Sequence, residues 1–274
     1  MSNSKNYIAK LAFAISFLFI TSVQADMTTM YGVNINDTKG GEYNLYQLFN
    51  DYFSEQLPGA DRYTSSNDLY NDRGVNPYTD WTTNGSSLVG AFKVADMAHV
   101  MSMFDSNGNT LGKLMSVEGT KYIGNGKGIT DLGNQSVTNI ADGLHINFQL
   151  DAYWGDIRDR NLEYRWSSNP DLNDGSLGKR GDSMMHMLAF DITDLYNLKN
   201  STDFDSVYMF AWEDLNRYNS NGKFEADWDY QDFVAIMTNV RPNDPGPATV
   251  PEPATLAILG FGLAGLGLVR RRQK

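Results

Sequence analysis

The pattern of apolar and polar positions is helical once near the start and strand-like over most of the chain. In YNLYQLFNDYF the residues Leu45, Leu48, Phe49, Tyr52 and Phe53 recur at i, i+3, i+4, i+7 and i+8, one face of a helix. Pro58-Gly59 ends it. The next stretch, DRYTSSNDLYNDRGVNPYTDWTTNGSS, is rich in Asn, Asp, Ser and Gly and reads as turns with one or two short elements. From there the period changes to two. SSLVGAFKVA leads into AHVMSMFDSNGNTLGKLMSV, where Asn107-Gly108 is a two-residue hairpin signal. In ADGLHINFQLDAYW an Asp142-Gly143 turn precedes Leu144, Ile146, Phe148 and Leu150 on one face. SMMHMLAFDI, DSVYMFAW and DFVAIM add three further candidate strands. No βαβ rhythm and no internal repeat interrupts this series. The pattern predicts a mainly β protein: an antiparallel β-sandwich, jelly-roll-like, over residues 26–240 with a few peripheral helices.

The two ends break the pattern and change the picture. At the start Lys5 and Lys10 precede an apolar run from Leu11 to Ile20, followed by Val23 and Ala25 in signal-peptidase spacing. This predicts a helical secretory signal over residues 1–25, cleaved after Ala25 by signal peptidase. About ten apolar residues are too few to span a bilayer. At the other end Ala254 to Val269 is uncharged and would give a transmembrane helix over 254–269. As a helix this run spans about 24 Å, a short crossing of a hydrocarbon core about 30 Å thick. Arg270, Arg271 and Arg272 would stay cytoplasmic by the positive-inside rule, leaving 26–250 outside. Residues 241–250 contain Pro242, Pro245, Gly246 and Pro247 and read as an extended Pro-rich linker.

With the ends set aside, residues 26–250 hold 16 basic and 32 acidic side chains, a net charge of −16. Such a charge repels nucleic acid and anionic lipid, and it leaves many carboxylates available to hard cations. The chain has no cysteine. An exported protein of this kind has no disulfides and depends for its stability on packing, hydrogen bonds and any metal it holds.

The triplet Pro251-Glu252-Pro253, an apolar segment and the closing cluster Arg270, Arg271 and Arg272 resemble the PEP-CTERM sorting signal of exopolysaccharide-producing Gram-negative bacteria. The resemblance covers residues 251–274. It implies that the tail is a temporary inner-membrane anchor, recognised at Pro251, Glu252 and Pro253 and cut by an exosortase, with the arginines as stop signal. The expected destination is the cell surface or extracellular matrix.

The segment richest in candidate chemistry is VYMFAWEDLNRYNSNGKFEADWDYQDFVAIM. Two candidate strands, 207–212 and 233–238, are joined by about twenty residues, long for a hairpin. Between them lie Glu213, Asp214, Glu225, Asp227, Asp229 and Asp232, against Arg217 and Lys223. Carboxylates crowded in this way are either solvated or bridged by a cation, and an irregular acidic loop suits calcium. In extended backbone Asp227 and Asp229 would point to one side and share an ion, with Asp232 closing the site. The E-D-L after one strand and D-x-D-Y-x-D-F before the next are similar to a β-sandwich domain of unknown function in bacterial surface proteins. That resemblance, over Val207 to Met237, implies Ca2+ bound by Glu213, Asp214, Asp227, Asp229 and Asp232. Gln231 stands where that domain usually has Asn, and the connection here is longer.

Other signals are weaker. Asp105, Asn107 and Asn109 imitate the opening of an EF-hand loop, but Ser116 stands where the bidentate Glu belongs, so a plain hairpin is expected. Asp171, Asn173 and Asp174 read as turn chemistry. His99, His145 and His186 are far apart and read as isolated structural residues. Neither H-E-x-x-H nor G-x-S-x-G occurs. Trp81, Trp154, Trp166, Trp212 and Trp228 could include a sugar-stacking platform, with Trp228 the candidate and Trp212 a core residue. The expectation is a non-enzymatic surface or matrix protein that binds calcium. A carbohydrate-binding module for exopolysaccharide is the alternative, and a secreted hydrolase a third.

Overall fold

A computed structural model describes the chain between residues 33 and 243, apart from 34, 38–42, 60–61, 77–79, 95–96, 106, 118–129, 132–139, 155–161, 176–180, 218–220, 222 and 224–225. The expected signal peptide with Ala25, the linker beyond 243 and the tail, including Pro251, Glu252, Pro253, Arg270, Arg271 and Arg272, lie outside these residues. Among the described residues no helix is long and apolar enough to cross a membrane.

Among the described residues the protein is mainly β, with nine strands in one antiparallel sheet. They are β1 (Trp81–Lys93), β2 (Ala98–Asp105), β3 (Thr110–Val117), β4 (Thr130–Asp131), β5 (His145–Tyr153), β6 (Leu162–Ser167), β7 (Met187–Asp191), β8 (Val207–Trp212) and β9 (Phe233–Pro242). The hydrogen-bonded order is β3-β2-β5-β1-β9-β8-β7, with β4 beside β1 and β6 beside β5. The expected hairpin joins β2 to β3. Gly108 turns it at φ 81, and the Asp105 carboxylate accepts the backbone amides of Asn107 and Asn109. The residues that imitate an EF-hand therefore satisfy a turn.

Strand β5 meets β1 through only two residue pairs, Trp81 with Ile146 and Thr82 with His145. The sheet bends at this joint. Phe148 on β5 and Phe210 on β8 are not on adjacent strands, yet their ring centroids are 4.6 Å apart, and both contact Trp81. Met101, Leu150 and Trp166 from one half join Met187, Trp212, Phe233 and Met237 from the other in a single core.

The opposite face of β7, β8 and β9 is apolar too, because Leu188, Phe190, Val207, Met209, Val234 and Ile236 alternate with the first set. Three helices cover it: α1 (Leu45–Tyr52), α2 (Ser66–Arg73) and α3 (Thr193–Asn200). Leu45, Leu48 and Phe49 of α1 are buried as the periodicity predicts, with Phe53 just beyond the last turn. The Asn44 backbone amide donates to the Gln47 side chain at 3.0 Å, which closes the helix start. In α2 the Ser65 hydroxyl accepts the Asp68 amide at 3.1 Å, and Leu69 and Tyr70 enter the core.

Candidate metal centre in the β8–β9 connection

Strands β8 and β9 pair directly, from Val207 with Thr238 to Trp212 with Phe233. Their long connection therefore leaves and re-enters the sheet at one point. Glu213 and Asp214 follow the last residue of β8, and Asp232 precedes the first residue of β9. The pairing sets these three side by side, and the Asp214 amide donates to Asp232 Oδ2 at 2.9 Å.

The rest of the loop folds back onto this point. The Trp228 amide donates to Glu213 Oε2 at 2.7 Å and the Leu215 amide to Oε1 at 3.2 Å. Glu213, Asp214 and Asp229 are all but inaccessible to solvent, Asp232 is half-buried and Asp227 is exposed. Oxygen atoms of Glu213, Asp214 and Asp232 lie within 4.8 Å of one another, and so do those of Glu213, Asp227 and Asp229. Glu213 belongs to both groups. The five carboxylates expected to act together do converge, whereas Glu225 lies outside the described residues.

The route to convergence differs from the expected extended strand. Trp228 and Tyr230 have φ of 60° and 57°, a left-handed conformation that bulky side chains rarely adopt. Asp227 and Asp229 reach Glu213 across these two turns. Each such residue costs about 1–3 kcal/mol and persists only where its surroundings hold it. Here Trp228 is held by its bond to Glu213 and by Asn36, whose amide donates to the Trp228 carbonyl at 3.0 Å. The Tyr230 hydroxyl donates to the Met185 carbonyl at 2.9 Å.

Gln231, which stands where the similar domain usually has Asn, adds a further group. Its side-chain nitrogen donates to Asp229 Oδ2 at 2.6 Å, while its carbonyl oxygen is buried without a hydrogen-bond partner. A buried carbonyl beside a cluster of carboxylates lacks a positive partner, and leaving such a group unsatisfied costs about 1–3 kcal/mol. It is a neutral oxygen ligand of the kind calcium accepts.

Two histidines thought to be isolated stand against this connection. His99 Nε2 meets Asp214 Oδ2 at 2.7 Å with both groups buried. Burial pushes the His99 pKa down, Asp214 opposes this, and Lys93 pushes it further down. His186 stacks on Trp166 at 3.5 Å and meets the Glu213 carbonyl and Asp182, each at 3.0 Å. The Trp166 indole donates to the Asp214 carbonyl at 2.9 Å. The third, His145, is exposed and meets Asn243. No local pattern announces the His99–Asp214 contact, which joins residues 115 positions apart.

The charge balance of the site is strongly negative. Burial, reinforced by Asp227, Asp214 and Asp229, raises the Glu213 pKa well above its ordinary value. Burial, then Asp214, Glu213, Asp229 and Asp227, does the same to Asp232. Without metal both groups hold protons in the folded protein at a pH where the unfolded chain has released them, above about 4. The folded state then binds more protons, so stability falls as pH rises above about 4. Asp182 acts in the other direction. Burial raises its pKa, but His186 and the amides of Arg217 and Met184 lower it overall, so its contribution is lost as pH falls below about 4. The melting temperature of metal-stripped protein is expected to peak in mildly acid solution and decline toward pH 8. A melting series across that range checks this, and a flat or rising curve above pH 5 would contradict the assigned cluster.

The tryptophans give no sugar platform at the expected place. Trp81, Trp166 and Trp212 are fully buried and Trp228 is 9% exposed, packed near His186 and Tyr230. Trp154 is 48% exposed.

Residues 249–272 match the PEP-CTERM protein-sorting motif. The motif implies export, membrane-associated sorting and processing by an exosortase. No curated protein and no solved structure matches the chain.

Proposed function

We propose that the protein is a non-enzymatic component of the cell surface or extracellular matrix, built on a β-sandwich that calcium locks at the β8–β9 connection. The sandwich reading rests on the contact between Phe148 and Phe210 across the bend in the sheet. The calcium reading rests on one observation above all. Five carboxylates, three of them buried, converge with a buried side-chain carbonyl that has no partner. Glu213, Asp214, Asp227, Asp229, Asp232 and Gln231 would hold the ion. A divalent cation offsets the repulsion among the acids and joins both ends of the connection to its middle. It stabilises the native state by mass action, because the unfolded chain does not assemble the site. Hard oxygen donors on an irregular loop favour calcium over transition metals, and extracellular calcium modules bind at about 0.1–1 mM.

Calorimetric titration of calcium into metal-stripped protein recovered from the producing cells is expected to give saturable binding in that range. Asp229→Asn is expected to weaken it beyond detection, because it removes a buried carboxylate oxygen charge from the group formed with Glu213 and Asp227. Binding that is unaltered in Asp229→Asn would place the ion elsewhere, and no heat of binding in the wild type would remove calcium from the account.

A further inference from the structure

A second site lies on the half of the sheet formed by β3, β2, β5 and β6, on the face turned away from the shared core. Met101, Met103, Phe148 and Leu150 point into that core, so their neighbours Ser102, Phe104, Asn147 and Gln149 line the other side. There the surface holds a cleft of about 340 Å³, within the range of about 300–1,000 Å³ usual for small-molecule sites. Its floor includes Phe104, Asn147, Gln149, Arg165 and Ser167, from three adjacent strands. Its rims are the β2–β3 turn at Asp105 and Gly108, Asp80 just before β1, and Asn169 and Leu172 after β6.

The lining is fixed before any ligand arrives. Arg165 Nε and Nη2 donate to the two oxygens of Asp151 at 2.7 and 2.8 Å, a bidentate lock that sets the guanidinium plane. Gln149 Nε2 donates to the same carboxylate at 2.8 Å, which orients its amide. Buried Asn173 accepts from the Ser167 amide and donates to the Ser167 and Met184 carbonyls, holding the turn after β6 against the strand. Such prior ordering reduces the entropy lost on binding.

The chemistry of the lining selects a class of ligand. Carboxylates at two rims disfavour phosphates and other anions, while Arg165 in the floor disfavours a cation. Side-chain amides and a hydroxyl dominate the rest and offer donors and acceptors side by side. Adjacent hydroxyls need that combination, because each donates one bond and accepts others. Half-buried Phe104 and Leu172, 39% exposed, supply apolar surface for a ring's C–H face. We propose that this cleft binds a neutral saccharide, with Asn147, Gln149, Arg165 and Asn169 bonding its hydroxyls and Phe104 under its ring. The cleft shares no residue with the acidic connection, so either assignment can fail while the other stands.

The test is calorimetric titration of the protein with neutral oligosaccharides of glucose, mannose, galactose and N-acetylglucosamine, and with oligogalacturonate as the anionic probe. The expected result is saturable binding of at least one neutral probe and none of oligogalacturonate. Asn147→Ala and Phe104→Ala are expected to weaken it about tenfold, the scale of one good contact, with cooperative melting retained. That cooperative transition reports that the variants fold, whether or not calcium binds at the β8–β9 connection. Binding of the anionic probe alone, binding indifferent to both substitutions, or no binding by any probe would overturn the proposal.

Discussion

Replacing Trp166 with alanine is expected to destabilise the protein by about 3–5 kcal/mol, the range for removing a large buried aromatic. In a protein of this size that lowers the melting temperature by on the order of 10 °C. The effect is large because three interactions end together. Trp166 fills the core between the halves of the sheet, stacks on His186 at 3.5 Å and within 13° of parallel on Tyr164, and supplies the donor to the Asp214 carbonyl. Its loss leaves a cavity and strips that carbonyl of its indole donor at the edge of the acidic cluster. Trp166→Phe would keep most of the packing and lose the hydrogen bond, for a smaller loss of about 1–2 kcal/mol. Denaturant unfolding of the three proteins separates the two contributions. Equal stability of wild type and the alanine variant would contradict the placement of Trp166 at this junction.

Glu213→Gln is expected to act in opposite directions with and without metal. Glu213 is central to both groups of carboxylates and fully buried. In metal-stripped protein at neutral pH, folding must protonate Glu213, because burial and three acidic neighbours oppose its charge; the neutral amide removes that cost, so the melting temperature should rise by several degrees. It also removes the oxygen charge that both groups share, so calcium should no longer stabilise the variant. In the wild type, calcium at a hundredfold excess over its dissociation constant adds about 2.7 kcal/mol, or about 5–10 °C. The two proteins should therefore exchange order of stability when calcium is added. A simple packing role for Glu213 gives no such reversal, because loss of its bonds to Trp228 and Leu215 would destabilise under both conditions.

Much of the sheet was legible because its strands keep strict alternation. Ile146, Phe148 and Leu150 enter the core as their spacing requires, and Asn107-Gly108 makes the hairpin. Strand β6 carried the same signal unread: in LEYRWS the residues Leu162, Tyr164 and Trp166 alternate with Glu163, Arg165 and Ser167. Turn-rich neighbours obscured it. The start of β1 was hidden by Asn84-Gly85, which reads as a turn and is instead an irregularity within a strand, with Gly85 at φ 65. Helix α3 buries only Leu195 and Tyr196 and has no side-chain cap, so neither periodicity nor boundary marks it.

The candidate site was half legible for a different reason. The acids could be found because they cluster in sequence, and antiparallel pairing of β8 and β9 brings their two ends together. In sequence Gln231 is only a departure from the usual Asn, whereas its buried carbonyl without a hydrogen-bond partner argues for a ligand. His99, Lys93 and Asp182 carry no sequence signal, since tertiary packing alone brings them to the connection. Nor does alternation foresee Trp228 and Tyr230 in left-handed backbone, because that geometry follows from the bonds that hold the loop closed.

Closure of the β8–β9 connection by calcium is read out by melting the wild-type protein in excess calcium and after metal stripping. Calcium is expected to raise the melting temperature by about 5–10 °C at neutral pH. Coincident melting curves under the two conditions would contradict closure by calcium.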